Sequence, residues 1–369
     1  MSSPLNRRIA FSMVKGMNLS VAQELTQRIG CLDRFFEAST SDLWQAVGAQ
    51  KAWCTDSERA ALLARASSEE EFVLRNKVDA LFYTDTDYSA RLARCDDAPA
   101  LLYRLGHCNL NAAHVVAIVG TRRATAYGTG VTQRIVKDLA EQLSDLVIVS
   151  GLAYGIDVAA HRAALACDVP TVGVVAHGLR TIYPADHRDI AARMISAGGA
   201  IVTEYPSDAP VHRGNFLARN RIVAGLSDIV IIVESDAKGG AMVTASIAQS
   251  YNREVGAIPG RITDRYSLGP NRLIHDNRAA IIRDAADIIS LMNWTPIPHE
   301  GQQAALPLQD FPTEVAQIVD YLRLHPDATV NDMTRDLAQP YHVLTSRLMM
   351  MEMDDILTAL PGGRFQLNV

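Results

Sequence analysis

From residue 115 onward, short apolar runs rich in Val and Ile alternate with amphipathic stretches, and this rhythm constrains the fold more than any other feature of the chain. The runs Val115–Val119, Leu146–Val149, Thr171–Val175, Ala200–Thr203, Asp228–Val233, Val255–Ile258 and Ala280–Ile282 are nearly continuous in apolar character. A strand without a polar side must be buried on both faces, which a sheet covered by helices above and below provides. The intervening segments, among them GVTQRIVKDLAEQL, IDVAAHRAALA and MVTASIAQSYN, carry helical patterns. The predicted fold is an α/β, doubly wound parallel sheet of extended Rossmann-like type. Ligands of such sheets bind beyond the carboxyl ends of the strands, so the loops there are the places to seek chemistry.

A chain of 369 residues is too long for that core alone. Residues 1–75 read as a small helical domain, with apolar positions three and four apart in SVAQELTQRIGCLDRFFEASTSDLWQAVG and capping residues at Ser20, Ser39 or Thr40, and Ser57. The core spans 76–294. A Pro- and Gln-rich stretch, 295–312, reads as a linker. Residues 313–369 offer three helical patterns, then a strand, a tight turn and a strand, the arrangement of a winged helix. No segment is apolar enough to span a bilayer, and MSSPLNRRIAFSMVKG lacks the apolar stretch of a signal peptide, so a cytoplasmic protein without membrane contact is expected. The cysteines at 31, 54, 95, 108 and 167 are scattered, with no C-x-x-C pair; they are expected to be reduced packing residues rather than metal ligands.

The net charge of −6 argues weakly against a general polyanion binder. Its distribution argues otherwise, because cations gather at the loops of the middle region: Arg122 and Arg123, then Arg213, Arg219 and Arg221, then Lys238, Arg261, Arg265 and Arg272. Beyond residue 306 only Arg323, Arg335, Arg347 and Arg364 face nine acids. The first strand-end loop, GTRRATAYGTG, is Gly-rich but does not fit G-x-G-x-x-G, and Ser150 stands where a ribose-binding carboxylate would end the second strand. That disfavours NAD or FAD, and no cofactor is expected. The second loop, SGLAYGID, allows close backbone approach at Gly151; Asp157 and His161 follow at helical spacing and read first as structural, second as a catalytic pair. In HRGNFLARNRIVAGL, Asn220 lies among basic residues at a helix entry, and Phe216 is either a core residue or a stacking surface for a base. Lys238, Gly239, Gly240 and Thr244 form a further phosphate-cradle pattern before a helix.

The motifs GTR, SGLAYGIDVAAHRAAL, YPADH, EYP, NFLARNRIVAGLSDIVIIVES, GGAMVTASIA and AIPG, in that order, resemble the DprA/Smf family of DNA-processing proteins of natural transformation. The resemblance covers about residues 78–292. The N-terminal helices are similar to that family's SAM-like or helix-hairpin-helix extension and the tail to its winged helix. It implies a non-catalytic mediator of recombination that binds single-stranded DNA, dimerises through the Rossmann fold and loads the recombinase RecA. Carried onto this sequence, it implies phosphate contacts from Gly120, Arg122, Gly151, Asn220, Arg221, Gly239, Gly240 and Thr244; the neighbouring cations Arg123, Arg188 and Lys238 are expected, from their charge and position, to add to them. Three positions depart from the family pattern: Leu217 where Pro is frequent, Ala185 where a basic residue is frequent, and His187 where Asn is frequent.

Two other readings compete with this one. KGGAMVTAS is similar to the P-G-G-x-G-T-x-x-E signature of nucleoside-monophosphate phosphoribohydrolases of the lysine-decarboxylase-like family, but it lacks the glutamate that assists cleavage. A duplex-DNA regulator acting through PYHVLTSRLMMMEMDD is disfavoured by the acids flanking that helix.

Overall fold

A computed structural model of the chain describes residues 2–297, 313–325, 328–353, 356–360 and 363–367. Most of the expected linker, residues 298–312, and part of the C-terminal turn lie outside the described residues. The chain divides into two compact units, Met1–Ile297 and Pro298–Val369.

The first unit opens with five helices: α1 (Pro4–Ser12), α2 (Leu19–Ile29), α3 (Leu32–Glu37), α4 (Thr40–Val47) and α5 (Asp56–Asn76). Ser39 caps α4 as expected, but α2 and α5 start earlier than Ser20 and Ser57 suggest. Asn18 and Thr55 accept the first free amides of these two helices. Two antiparallel strands follow, β1 (Asp79–Phe82) and β2 (Leu101–Gly106). Then β3 (His114–Val119), α6 (Ala126–Gln142), β4 (Leu146–Ser150), α7 (Ile156–Ala166), β5 (Thr171–Val174), α8 (Arg188–Ser196), β6 (Ala200–Thr203), α9 (Arg213–Leu226), β7 (Ile229–Ile232), α10 (Gly240–Ser250), β8 (Glu254–Ala257), α11 (Leu268–His275), β9 (Ala280–Ile281) and α12 (Ala285–Leu291) alternate.

The nine strands form one sheet in the order β1-β2-β6-β5-β4-β3-β7-β8-β9, parallel from β6 to β9, with β2 antiparallel to β6. The doubly wound sheet expected from the sequence is present. Its antiparallel edge, β1 and β2, lengthens it by two strands. Apolar character on both sides of each strand has a direct cause. Val115, Ala117 and Val119 pack with Val223, Ala245 and Leu273 of α9, α10 and α11, while Val116 and Ile118 pack with Ile135, Ile156 and Ile288 of α6, α7 and α12. The order in which strands are added reverses at β3, which has β4 on one side and β7 on the other, so a crevice opens between the loops that follow β3 and β7.

The N-terminal helices do not close a core of their own. Ile9, Phe11, Phe35 and Leu43 pack against Phe82, Leu101 and Tyr103 of β1 and β2. Glu69 of α5 is buried and accepts the Ser207 amide at 2.8 Å and its hydroxyl at 2.6 Å, fastening the helices to the loop after β6. Burial pushes the Glu69 carboxyl above its ordinary range, against the pull of those donors.

In the second unit, α13 (Thr313–Leu324), α14 (Val330–Asp336) and α15 (Tyr341–Met353) precede an antiparallel hairpin of β10 (Leu357–Leu360) and β11 (Arg364–Leu367). Ile318, Leu322, Met333, Leu344, Leu348, Met351 and Leu357 form its core. A reciprocal capping box between Thr329 and Asp332 starts α14. Among the described residues, no helix is long and apolar enough to cross a membrane.

Candidate nucleic-acid interface

At this switch in strand order the structure has a cavity of about 770 Å³. Its lining comes from the loop after β3 (Gly120, Thr121, Arg122), the loop after β4 (Gly151, Ala153, Asp157), the start of α10 (Gly239, Gly240, Thr244) and one side of α9. Arg213, Phe216, Leu217, Asn220 and Val223 recur at three and four residues, which places them on a single helical stripe facing the cavity.

The walls are stitched together by backbone contacts. The Thr121 amide donates to Glu234 O at 2.7 Å, and the Ile156 amide donates to Thr121 O at 3.2 Å, tying the loop after β3 to the end of β7 and the start of α7. The buried Glu234 carboxylate accepts the Thr125 amide at 2.9 Å and the Thr125 hydroxyl. The two glycines expected to bare their amides have a further use. A Cβ on Gly120 would stand 2.6 Å from Ile156, and one on Gly151 would stand 2.1 Å from the Arg219 guanidinium. Both loops therefore approach their neighbours more closely than any side chain permits.

Arg219 is 4% exposed, donates through Nη1 to Val174 O at the end of β5, and leaves its buried Nε without a partner among the described residues. Asp157 shares the cavity floor; burial raises its carboxyl above the ordinary value, opposed by the Arg219 charge and the Ala153 amide. His161 does not join it. Its Nδ1 bonds Thr171 Oγ1 at 2.7 Å in the core, and burial, with the His187 and Arg219 charges, holds its pKa down at about 3. The structural reading of the Asp157–His161 pair is the one the geometry supports.

Of the residues expected at the site, Gly120, Arg122, Gly151, Phe216, Asn220, Gly239, Gly240 and Thr244 line this one cavity. Arg122 lies over the Phe216 ring, 5.2 Å from its centroid, and Tyr183 packs on the same ring at 5.7 Å. Phe216 is thus a wall residue, not a core one. Arg122 and Arg213 are exposed and make no ion pair among the described residues, and the N-terminus of α10 has no side-chain cap. Arg123, Arg188 and Lys238 are exposed outside the lining.

Arg221 departs from the expectation. One helical step past Asn220, it turns off the stripe and forms a largely buried ion pair with Glu204 of the EYP segment. His187 is also buried, bonding Leu152 O at 2.8 Å, while Ala185 is exposed. Sequence reasoning did not assign Arg213, Arg219, Tyr183 or Asp157 to the site. The signal for the first was the i, i+3, i+7 spacing that it shares with Phe216 and Asn220.

The family model described as DNA recombination-mediator protein A matches residues 79–293, which is the entire sheet and its helices. The chain belongs to the DNA recombination-mediator protein A family. Among curated relatives, Protein Smf of Escherichia coli is 34% identical over 293 residues, covering 76% of this chain and 75% of that protein. A putative DNA processing protein DprA of Mycobacterium tuberculosis is 40% identical over 205 residues, 55% of this chain and 52% of that one, so the match spans about half of that relative. DprA of Streptococcus pneumoniae aligns in structure with a TM-score of 0.63 and 28% identity, over 79% of this chain and 98% of that one. DNA processing protein A of Helicobacter pylori, whose structure concerns a single-stranded DNA binding mode, aligns with a TM-score of 0.52 and 32% identity over 59% of this chain and 96% of that one. The family match covers the strands and loops that carry the cavity.

Proposed function

We propose that this member of the recombination-mediator family holds single-stranded DNA in the cavity beyond β3, β4 and β7, without catalysing a reaction on it. The observation that carries the reading is the pairing, in one cavity, of guanidinium groups at Arg122 and Arg213 that make no ion pair among the described residues with an aromatic wall of half-buried Phe216 and exposed Tyr183. Cations without counter-ions suit phosphates, and aromatic faces suit unpaired bases, which stack without regard to sequence. A duplex keeps its bases stacked inside and cannot use such a wall. The Helicobacter pylori relative, described by its single-stranded DNA binding mode, supports the same reading. In this proposal the protein works as a homodimer through the α/β unit and delivers the bound strand to the recombinase RecA.

The phosphoribohydrolase alternative lacks its acid: the first turn of α10 runs Gly240, Ala241, Met242, Val243. Release of ribose 5-phosphate from nucleoside monophosphates would revive it. For the main proposal, gel-shift competition should favour single-stranded over duplex DNA. Arg122→Ala should weaken binding and flatten the dependence of log K on log[salt] by about 0.7, the loss of one phosphate contact to a single strand. A variant that binds like the wild type at every salt concentration would remove the cavity from the reading. RecA delivery is checked by the lag before RecA ATPase begins on single-stranded DNA; a lag that the protein leaves unchanged would exclude it.

A further inference from the structure

A second cavity, of about 940 Å³, opens beside the first and is lined by Thr125, Ala126, Tyr127, Glu234 and the loop from Pro259 to Tyr266. The two share walls. The segment from Gly120 to Tyr127 contributes Arg122 to one and Tyr127 to the other, with the exposed Arg123 between those two residues along the chain. The end of β7 is divided likewise, Glu234 lining the second cavity and Ser235 and Asp236 the first. An ion pair between Asp236 and Arg265, at 2.7 Å, joins the two linings.

We propose that the second cavity is a further nucleotide subsite, which takes the part of a single strand that leaves the first cavity past Arg123. This rests on the reading of the first cavity as a DNA site.

Three observations support it. First, the cavity offers aromatic walls: Tyr127 is half exposed, and Tyr266 is partly exposed with the Arg265 guanidinium 5.8 Å from its ring centroid. Second, cations occupy its approach: Arg123 and Arg261 are exposed and make no ion pair among the described residues. Third, the walls are fixed before any ligand arrives. The Tyr127 hydroxyl donates to Pro259 O at 2.7 Å, Gly260 exchanges two hydrogen bonds with the Asn271 side chain at 3.1 and 2.9 Å, and the Ser235 amide donates to Tyr266 O at 2.7 Å. A preformed wall spares the ordering cost of binding.

The carboxylates fix the orientation of the strand. Glu234 lies inside with its oxygens on the Thr125 amide and hydroxyl, and Asp264 is on the same lining. A phosphate placed inward would meet that negative charge. The phosphates therefore follow Arg123 and Arg261, and the base turns inward to Tyr127 and Tyr266.

The test is binding of the full chain to oligothymidylates of increasing length. Wild type should gain affinity as length grows from one cavity's worth to two. Tyr127→Ala and Arg261→Glu should bind the shortest oligonucleotide like wild type but lose most of the gain, about fivefold or more on the longest. Tyr127→Phe, which keeps the ring, should retain it, and thermal unfolding checks that each variant is folded. Variants that follow the wild-type length dependence, or that lose affinity equally at all lengths, would overturn the second subsite while leaving the first intact. A wild-type protein that binds no length would overturn both.

Discussion

His161 is enclosed on every side, its Nδ1–H given to Thr171 Oγ1 while the Thr171 hydroxyl is itself given to Ile148 O at 2.8 Å. This chain of donors puts a proton on Nδ1, and burial keeps the ring neutral. With its pKa near 3 in the folded state and about 6.5 when unfolded, the unfolded chain takes up the proton first on acidification. The stability contributed by this site is therefore complete above about pH 6.5, and it is lost as the pH falls toward 3 by up to about 1.4 kcal/mol per pH unit. His177, buried with Nδ1 on Gly178 O and Nε2 accepting the Tyr183 amide, is also lowered and acts in the same direction. Denaturant unfolding at stepped pH should show the slope, and His161→Gln should reduce it; an unchanged slope would assign the acid sensitivity elsewhere. At Gly151 the issue is space. Gly151→Ala places a methyl group against the Arg219 guanidinium, and a stability loss of about 1–3 kcal/mol is expected, with weaker DNA binding as Arg219 is displaced from the cavity floor.

Helix α9 shows how a single element serves two purposes. Its outward stripe, Arg213, Phe216 and Asn220, lines the cavity, while Ile222, Ala224 and Leu226 are buried in the sheet-facing core. Arg219 and Arg221 project from the boundaries between these faces and are consumed by protein partners, Val174 O and Glu204. Arg221→Ala should therefore act on stability. Removing one partner of a largely buried pair costs about 3 kcal/mol, whereas affinity for single-stranded DNA, measured well below the unfolding temperature, should stay close to wild type. A selective loss of binding with unchanged stability would return Arg221 to the interface. The strands of the sheet were legible from residue 115 on because a short run with no polar side must be covered on both faces, wherever it lies in the chain. The role of α9 was less so: RNR reads as one basic cluster in sequence, yet successive residues on a helix are 100° apart and cannot all face one ligand.

On the scale of the whole molecule, the N-terminal helices and the sheet form one compact unit because their apolar side chains are shared. Phe11 and Phe35, in edge contact at 5.2 Å, lie on a core completed by Phe82 and Tyr103 of the antiparallel edge. A chain ending after Ile297 should consequently unfold in one cooperative transition with coincident fluorescence and circular dichroism midpoints, and it should keep its affinity for single-stranded DNA. Two separated transitions would mean that the helices fold independently. The antiparallel edge was only half legible. The stretch from 79 to 106 shows short strand patterns, but nothing local in it specifies pairing with β6, nearly a hundred residues later.

The alternation of apolar runs and helices was enough by itself to determine a parallel sheet with helices on both faces, and with it the carboxyl end of the strands as the edge to search, because burial on two sides is a local property of each segment. Which side chains meet at that edge was decided by tertiary structure. Arg219 beneath Gly151, Arg122 across Phe216 and Glu204 on Arg221 are contacts between residues 17 to 94 positions apart. Their partners are set by helix phase and strand order, neither of which a stretch of sequence carries alone.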